Sequence, residues 1–208
     1  MNSKAHWENV YRTKGSGEVS WFQREPTLSL ELIQRVAPDN TARIIDVGGG
    51  ASFLVDRLLT AGYTNLTELD VSASALSQVR MRTGDRASHV NWIEADITSA
   101  SLPKGSFDIW HDRAVFHFLT NAGDRAAYIH RVRHAVRPGG HVIVATFAED
   151  GPTKCSGLPV ARYSAAALHQ EFDGGLQLVD SMREQHVTPT GQTQSFVHCL
   201  CRFTVSFV

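Results

Sequence analysis

Short apolar runs alternate with helical periodicities between about residues 42 and 147, which predicts a parallel α/β sheet. Strands are predicted at Ala42–Val47, Asn65–Asp70, His89–Glu94, Phe107–His111 and His141–Phe147. The last is nearly all apolar, as expected of a strand buried on both faces. Between them lie amphipathic helices. One carries Leu54, Leu58 and Ala61 on a single stripe and stops at Gly62; the next is capped by Ser72, carries Leu76 and Val79, and closes at Gly84. A third is expected to take Asp124 as its cap, to present Ile129, Val132 and Val136, and to end at Pro138-Gly139-Gly140. Beyond residue 147 the pattern changes. Ser164 opens a short helix with Leu168 and Phe172; two β-type runs, Leu176–Glu184 and Ser195–Phe207, then flank a polar turn with Pro189 and Gly191, predicting an antiparallel ending. Ahead of the first strand stand Trp7, Tyr11, Trp21 and Phe22, then a helix begun near Pro26 with Leu28, Leu32 and Val36 on one face.

Chemistry concentrates where the first strand ends. Ile44-Ile45-Asp46-Val47-Gly48-Gly49-Gly50 joins a strand to a helix, and glycines there permit positive φ and close approach of a ligand to the backbone. A dinucleotide fingerprint would need a further glycine at position 53, which is Phe53, and Asp46 would sit awkwardly beside a pyrophosphate. Both features favour a ligand without phosphates. Asp70 ends the second strand 22 residues after Gly48, where a carboxylate can accept from both ribose hydroxyls. Asp96, in Ala95-Asp96-Ile97, could accept from the exocyclic amine of adenine, with Ile97 against the ring face. A tight turn without a ligand and two solvated strand-end acids form the simpler alternative for the same residues.

Taken as a set, Asp46-Val47-Gly48-Gly49-Gly50, Leu69-Asp70-Val71-Ser72, Glu94-Ala95-Asp96-Ile97, Phe107-Asp108-Ile109-Trp110 and Val136-Arg137-Pro138-Gly139-Gly140 resemble the successive motifs of the class I S-adenosylmethionine-dependent methyltransferases. The resemblance implies an α/β, Rossmann-like, doubly wound sheet of seven mostly parallel strands in the order 3-2-1-4-5-7-6, with strand 7 antiparallel. It also implies roles for individual residues. Gly48 and Gly50 would approach the methionine part of the cofactor, and Asp46 would hold its ammonium, directly or through water. Asp70 would take the ribose, Asp96 the adenine, with Val71 and Ile97 in the same binding set. Ser52 stands where many members carry a third glycine, a small enough residue to be tolerated. The product would be S-adenosylhomocysteine.

His6-Trp7-Glu8-Asn9-Val10-Tyr11 and Glu18-Val19-Ser20-Trp21-Phe22 resemble a lead segment of the elongation-factor lysine methyltransferases and, more loosely, of thiol, halide and thiopurine methyltransferases. In the lysine-modifying group the aromatics matching Trp7, Tyr11 and Trp21 contact the cofactor, and aromatic faces attract a sulfonium through cation–π interaction. Packing of the N-terminal helix on the sheet is the other use for such rings. In His111-Asp112-Arg113-Ala114-Val115-Phe116-His117, after strand four, Arg113 matches the basic residue of an acid–Lys–Gly run in that group. Asp112 or Arg113 would face the methionine end of the cofactor or the substrate, and His117 is a candidate general base. No Asn/Asp-Pro-Pro-Tyr run is present, which disfavours methylation of a planar base amine.

Composition narrows the partners. Twenty basic and 21 acidic residues give a formal net charge of −1, without the basic excess of a nucleic-acid binder. No apolar run is long enough for a membrane span, and the polar start to Tyr11 does not resemble a secretory leader. Cys155, Cys199 and Cys201 form no C-x-x-C pair, so no structural metal site is expected and a cytoplasmic location is. Neither a repeat nor a linker divides the chain, predicting one domain over 1–208: an aromatic cap and helix (1–40), a cofactor-binding core (41–147) and a C-terminal helix with antiparallel strands (148–208). The expected activity is methyl transfer to a small-molecule acceptor, a thiol, a metalloid or another small nucleophile. Methylation of a protein lysine and a non-catalytic S-adenosylmethionine-binding role are the alternatives.

Overall fold

Ile44–Val47, four buried residues in a row, form β1 at the centre of a sheet in the computed structural model, which describes residues 3–172 and 174–204. The other long strands are β2 (Leu66–Asp70), β3 (Val90–Glu94), β4 (Phe107–Arg113), β5 (Val136–Phe147), β8 (Leu176–Val187) and β9 (Thr193–Phe203). Their order is β3-β2-β1-β4-β5-β9-β8, and β9 runs antiparallel to both neighbours. A short hairpin, β6 (Lys154–Cys155) with β7 (Leu158–Pro159), stands apart from the sheet. Without that hairpin the order is the expected 3-2-1-4-5-7-6. It reverses direction between β1 and β4, and a crevice opens at the strand C-termini at such a reversal.

Two apolar layers hold the sheet. On one face α2 (Thr27–Val36), α3 (Leu54–Thr60) and α4 (Ala73–Thr83) pack Leu32, Ile33, Leu54, Leu58 and Val79 against Ile44, Ile109 and Leu200. On the other, α5 (Ala122–Ala135) and α6 (Ala165–Glu171) pack Tyr128, Val132 and Leu168 against Ile45, Val47, Trp110 and Val144. Cys199 and Cys201 belong to this second core, where burial pushes their thiols up to about 11 and 12. The N-terminal helix α1 (Ser3–Thr13) docks on the start of α4 through Glu8, which accepts from Ser72 Oγ at 2.8 Å and from the Ser74 N–H at 3.3 Å. A carboxylate at that place satisfies free N–H groups and complements the helix dipole.

The structure departs from the sequence pattern at particular points. β4 continues past His111 to Arg113, so Asp112 and Arg113 are strand residues on opposite faces. The cap of α5 is Asn121, whose side chain accepts from the Asp124 N–H at 2.8 Å; Asp124 sits in the first turn and bonds back to Asn121 Nδ2. Val136, expected at the helix end, begins β5, and Pro138-Gly139-Gly140 lies in that strand beside a register shift opposite Phe107 and Ile109. The hairpin β6–β7 had no periodicity to announce it. Residues 205–207 of the last expected strand lie outside the described residues.

Replacing Asn121 by Ala should lower the unfolding free energy by about 0.5–2 kcal/mol in a urea titration, the usual cost of losing a helix cap. Asp124→Ala should cost less, and the reverse order would restore Asp124 as the cap.

Candidate active site

Gly48 and Gly50 take φ values of 66° and 58°, a left-handed region in which side chains are strained. Space is equally restrictive: a Cβ on Gly48 would overlap Val115 Cγ2, one on Gly49 would overlap Glu68 Oε1, and one on Gly50 would overlap the Tyr11 hydroxyl. Asp70 clasps this turn from β2. Its Oδ2 accepts from the Gly50 N–H at 2.9 Å and its Oδ1 from the Ser72 N–H at 2.8 Å. Burial pushes the Asp70 pKa up to about 6, against the pull of those N–H groups. Glu68, wholly buried beside Gly49, is pushed well above the carboxylate range by burial and by the charges of Asp46 and Asp70.

A cavity of about 500 Å³ opens over the turn, at the C-terminal ends of the central strands. Asp70, Val71, Asp96 and Ile97 line one end of it, and Arg113, Phe118 and Cys155 the other. Trp7, Tyr11 and Trp21 line it from the N-terminal segment. Their rings interlock: Trp7 meets Trp21 edge to face at 5.6 Å and reaches Phe118 at 5.0 Å. Phe22, the fourth aromatic of that segment, packs on Phe53 instead. Asp96 Oδ1 is held by the Thr98 N–H and hydroxyl at 2.9 and 2.7 Å. A side pocket of about 40 Å³ shares Tyr11, Trp21, Gly48 and Arg113 with the large cavity and runs inward to Asp46, His111 and Ser29.

Arg113 anchors the wall between the two spaces. Its Nη1 donates to the Trp21 carbonyl at 3.1 Å, its Nη2 to Glu184 Oε2 at 3.4 Å, and its guanidinium lies 4.3 Å from the Phe196 ring centre. Burial alone would raise the Glu184 carboxyl, but the His198 hydrogen bond and the Arg113 charge hold it at about 2. The Arg113–Glu184 pair is thus ionic, and it ties β4 to β8 and to the N-terminal segment.

Four expected site residues do not line the large cavity: Asp46 lies on the side pocket alone, Gly50 on neither, and Asp112 and His117 are packed in the interior. Asp112 is turned into the core by the strand's alternation, where it accepts from Tyr128 Oη at 2.6 Å and from the Val115 and Phe116 N–H groups at 2.9 and 3.1 Å. Its carboxyl therefore shapes the turn after β4 and does not face a ligand. His117 is fully buried, with Nδ1 accepting from the Phe147 N–H at 3.3 Å and its ring against Phe118 and Phe147. Burial, reinforced by the Arg113 charge, drives its pKa down to about 3. A ring so placed is no general base for a ligand in the cavity. Conversely, His111, Ser29, Glu184 and Phe118 were not singled out from sequence. The pairing of His111 with Asp46 in the β1–β4 register, and the packing of α2 over it, bring the first two to the site.

Residues 44–140 match a family model described as a methyltransferase domain. The chain is 24% identical over 153 residues to the eEF1A lysine and N-terminal methyltransferase of Danio rerio, covering 72% of this chain and 22% of that protein. It thus spans about a fifth of that relative's length. The structure reported for the conversion of a disulfide bond into a thioacetal group during echinomycin biosynthesis shares the fold with a TM-score of 0.79 at 18% identity, over 98% of this chain and 94% of that one. So does the 1,6-didemethyltoxoflavin-N1-methyltransferase of Burkholderia thailandensis, with bound 1,6-didemethyltoxoflavin and S-adenosylhomocysteine (TM-score 0.67, 17% identity, 98% and 84% of the two chains). The domain match spans the glycine turn, and the sheet order places that turn at the β1–β4 reversal; residues 44–140 are thus identified as a methyltransferase domain of the class I S-adenosylmethionine-dependent type.

Proposed function

We propose that this chain transfers a methyl group from S-adenosylmethionine to a small-molecule acceptor, a thiol, a metalloid or another small nucleophile, inside the cavity of about 500 Å³. The observation that carries this reading is the aromatic wall of that cavity. Trp7, Tyr11 and Trp21 line it together with Gly48 and Phe118, so donor and acceptor would share one ring-lined space. S-adenosylmethionine, when bound, supplies an electrophilic methyl group. The residues that fit it are Gly48 and Gly50 at the methionine part, Asp70 and Val71 at the ribose, and Asp96 with Ile97 at the adenine. The rings of Trp7, Tyr11 and Trp21 offer their faces to the sulfonium. Asp46 and Arg113, both on the side pocket, present opposite charges to the zwitterionic amino-acid end. The Arg113 Nε is buried and has no hydrogen-bond partner among the described residues.

The acceptor end supports a nucleophile that needs no base. His117 is withdrawn, Cys155 is pushed up to about 11 by burial, and the buried Tyr11 hydroxyl is pushed well above 10. Catalysis would then come from alignment and exclusion of water, which can supply several kcal/mol of the barrier. The small-molecule acceptor in the Burkholderia thailandensis complex supports the same class. Methylation of a protein lysine is the second reading, favoured by the Danio rerio relative. Among the described residues no helix is long and apolar enough to cross a membrane, and the three free thiols suit our reading of one cytoplasmic domain.

The direct test is transfer of radiolabelled methyl from S-adenosylmethionine to small-molecule and protein fractions of a cell extract and to a panel of small thiols. Label in the small-molecule fraction is expected; label confined to protein would establish the lysine reading. With a thiol acceptor, the rate should rise through the acceptor's own pKa, identically in the parent and in His117→Asn. A profile that flattens in the variant would return His117 to the mechanism.

Calorimetry with S-adenosylhomocysteine should show affinity lost tenfold or more in Asp70→Ala. Because Asp70 titrates near 6, affinity in the parent should grow between about pH 5 and 7 as its carboxyl ionises. Stability has the opposite sign. Asp70 and Asp112, both raised to about 6, contribute stability that is full below the unfolded pKa near 4 and is lost as pH rises through 6. Deleting residues 1–24 should leave a cooperatively melting domain that binds S-adenosylhomocysteine at least tenfold more weakly, about 1.4 kcal/mol. Unchanged binding with a lower melting point would make the aromatic segment a purely structural element.

A further inference from the structure

A chain of buried polar groups lies behind the glycine turn, and the binding surface described above uses only its last member. His111 Nδ1 stands 2.7 Å from Asp46 Oδ1, and His111 Nε2 stands 2.9 Å from Ser29 Oγ. The three residues come from β4, β1 and α2, and each is at most 5% exposed. The hydrogen-bond directions follow from the partners. A carboxylate only accepts, so Nδ1 carries a proton and donates to Asp46, while Nε2 is hydrogen-bonded to the Ser29 hydroxyl. The ring is thereby satisfied at both nitrogens and held in place from two sides.

Asp46 lines the side pocket, and its other carboxylate oxygen is not engaged by His111. Asp46 Oδ2 is 2.9 Å from where a Cβ of Gly49 would lie, on the wall of the side pocket. At about 40 Å³ this pocket has room for an ammonium group or a few waters. The order Ser–His–Asp is also that of a hydrolytic triad, but a room of this size excludes an acyl substrate from Ser29. Beside Asp46, burial and the Asp46 and Asp70 charges push the Glu68 carboxyl well above the usual carboxylate range, and Glu68 does not line the pocket.

We propose that His111 and Ser29 are positioning residues: they lock the Asp46 carboxylate so that its free oxygen receives the α-ammonium of the cofactor's amino-acid end. They thereby select sulfur nucleosides that carry that ammonium over those that lack it. This rests on the reading of the cavity as an S-adenosylmethionine site, and it extends that reading to two residues no motif marks. The selectivity is local. Adenine and ribose contacts, made at the far end by Asp96 and Asp70, do not depend on the relay.

The test uses the full chain and two ligands, S-adenosylhomocysteine and 5′-methylthioadenosine, which shares the adenosine and thioether but has no amino-acid end. Calorimetry on Ser29→Ala and His111→Leu should show S-adenosylhomocysteine bound tenfold or more weakly and 5′-methylthioadenosine within twofold of the parent. His111→Asn, whose amide N–H can occupy the place of Nδ1, should recover most of the loss. Equal losses for both nucleosides, unaltered binding of S-adenosylhomocysteine, or no rescue by Asn would overturn the positioning role while leaving the cofactor reading intact. Ser29→Ala removes one buried hydroxyl and keeps the test open if His111→Leu does not fold. A parent chain that binds neither nucleoside would overturn both readings together.

Discussion

Everything at the ligand end of this protein depends on a turn with no room for a side chain. Between Gly48 and Gly50 the backbone passes so close to Val115, Glu68 and Tyr11 that a Cβ at any of the three positions would overlap a neighbour. The turn is held from below by the Asp70 carboxylate, which accepts from the Gly50 N–H and from the Ser72 N–H. One acid therefore couples the end of β1 to the start of α4. Ser72 in turn caps α4 and donates to Glu8, which carries α1. The approach of the aromatic cap and the shape of the turn are consequences of the same few hydrogen bonds.

The electrostatics follow from that crowding. Asp46, Glu68 and Asp70 are all buried within reach of the turn, an arrangement that would repel the phosphates of a dinucleotide. It suits a ligand whose charge near this point is positive. The protein limits its own repulsion by raising the Glu68 pKa through burial and by giving the other two acids defined N–H donors: His111 for Asp46, and Gly50 and Ser72 for Asp70. Buried carboxyls with satisfied oxygens are tolerable; unsatisfied ones would cost several kcal/mol.

A second polar layer secures the aromatic wall. Arg113 and His186 donate to the carbonyls of Trp21 and Ser20, and Gln23 donates to Glu184. The aromatic segment is therefore latched by backbone bonds to β4 and β8 while its rings face the cavity. Side chains alone would leave so short a segment free to slide. Arg113 and Asp46 meet at the side pocket because the polar layer and the glycine turn share one face of the sheet.

Much of this was legible along the chain. Five apolar runs at helical intervals predicted the α/β sheet, the glycines after β1 and the acids at the ends of β2 and β3 marked one wall of the cavity, and the sheet order followed from the methyltransferase resemblance that those motifs carry. These are local signals, since each depends on a residue's place at a strand end. Trp7, Tyr11 and Trp21 could be assigned to a cover because large rings must be buried somewhere. What lay beyond the sequence was everything decided by register and by which face of a strand a residue takes. A two-residue extension of β4 put Arg113 at the cavity and turned Asp112 into the core. His117, two residues from Val115 on the cavity wall, was drawn inward by packing on Phe147 and lost its basicity to burial. His111 and Ser29 acquired their place only when β1 paired with β4 and α2 packed across them, bringing together groups 82 positions apart. Periodicity encodes which residues are buried, but burial beside a particular partner is a property of the assembled sheet.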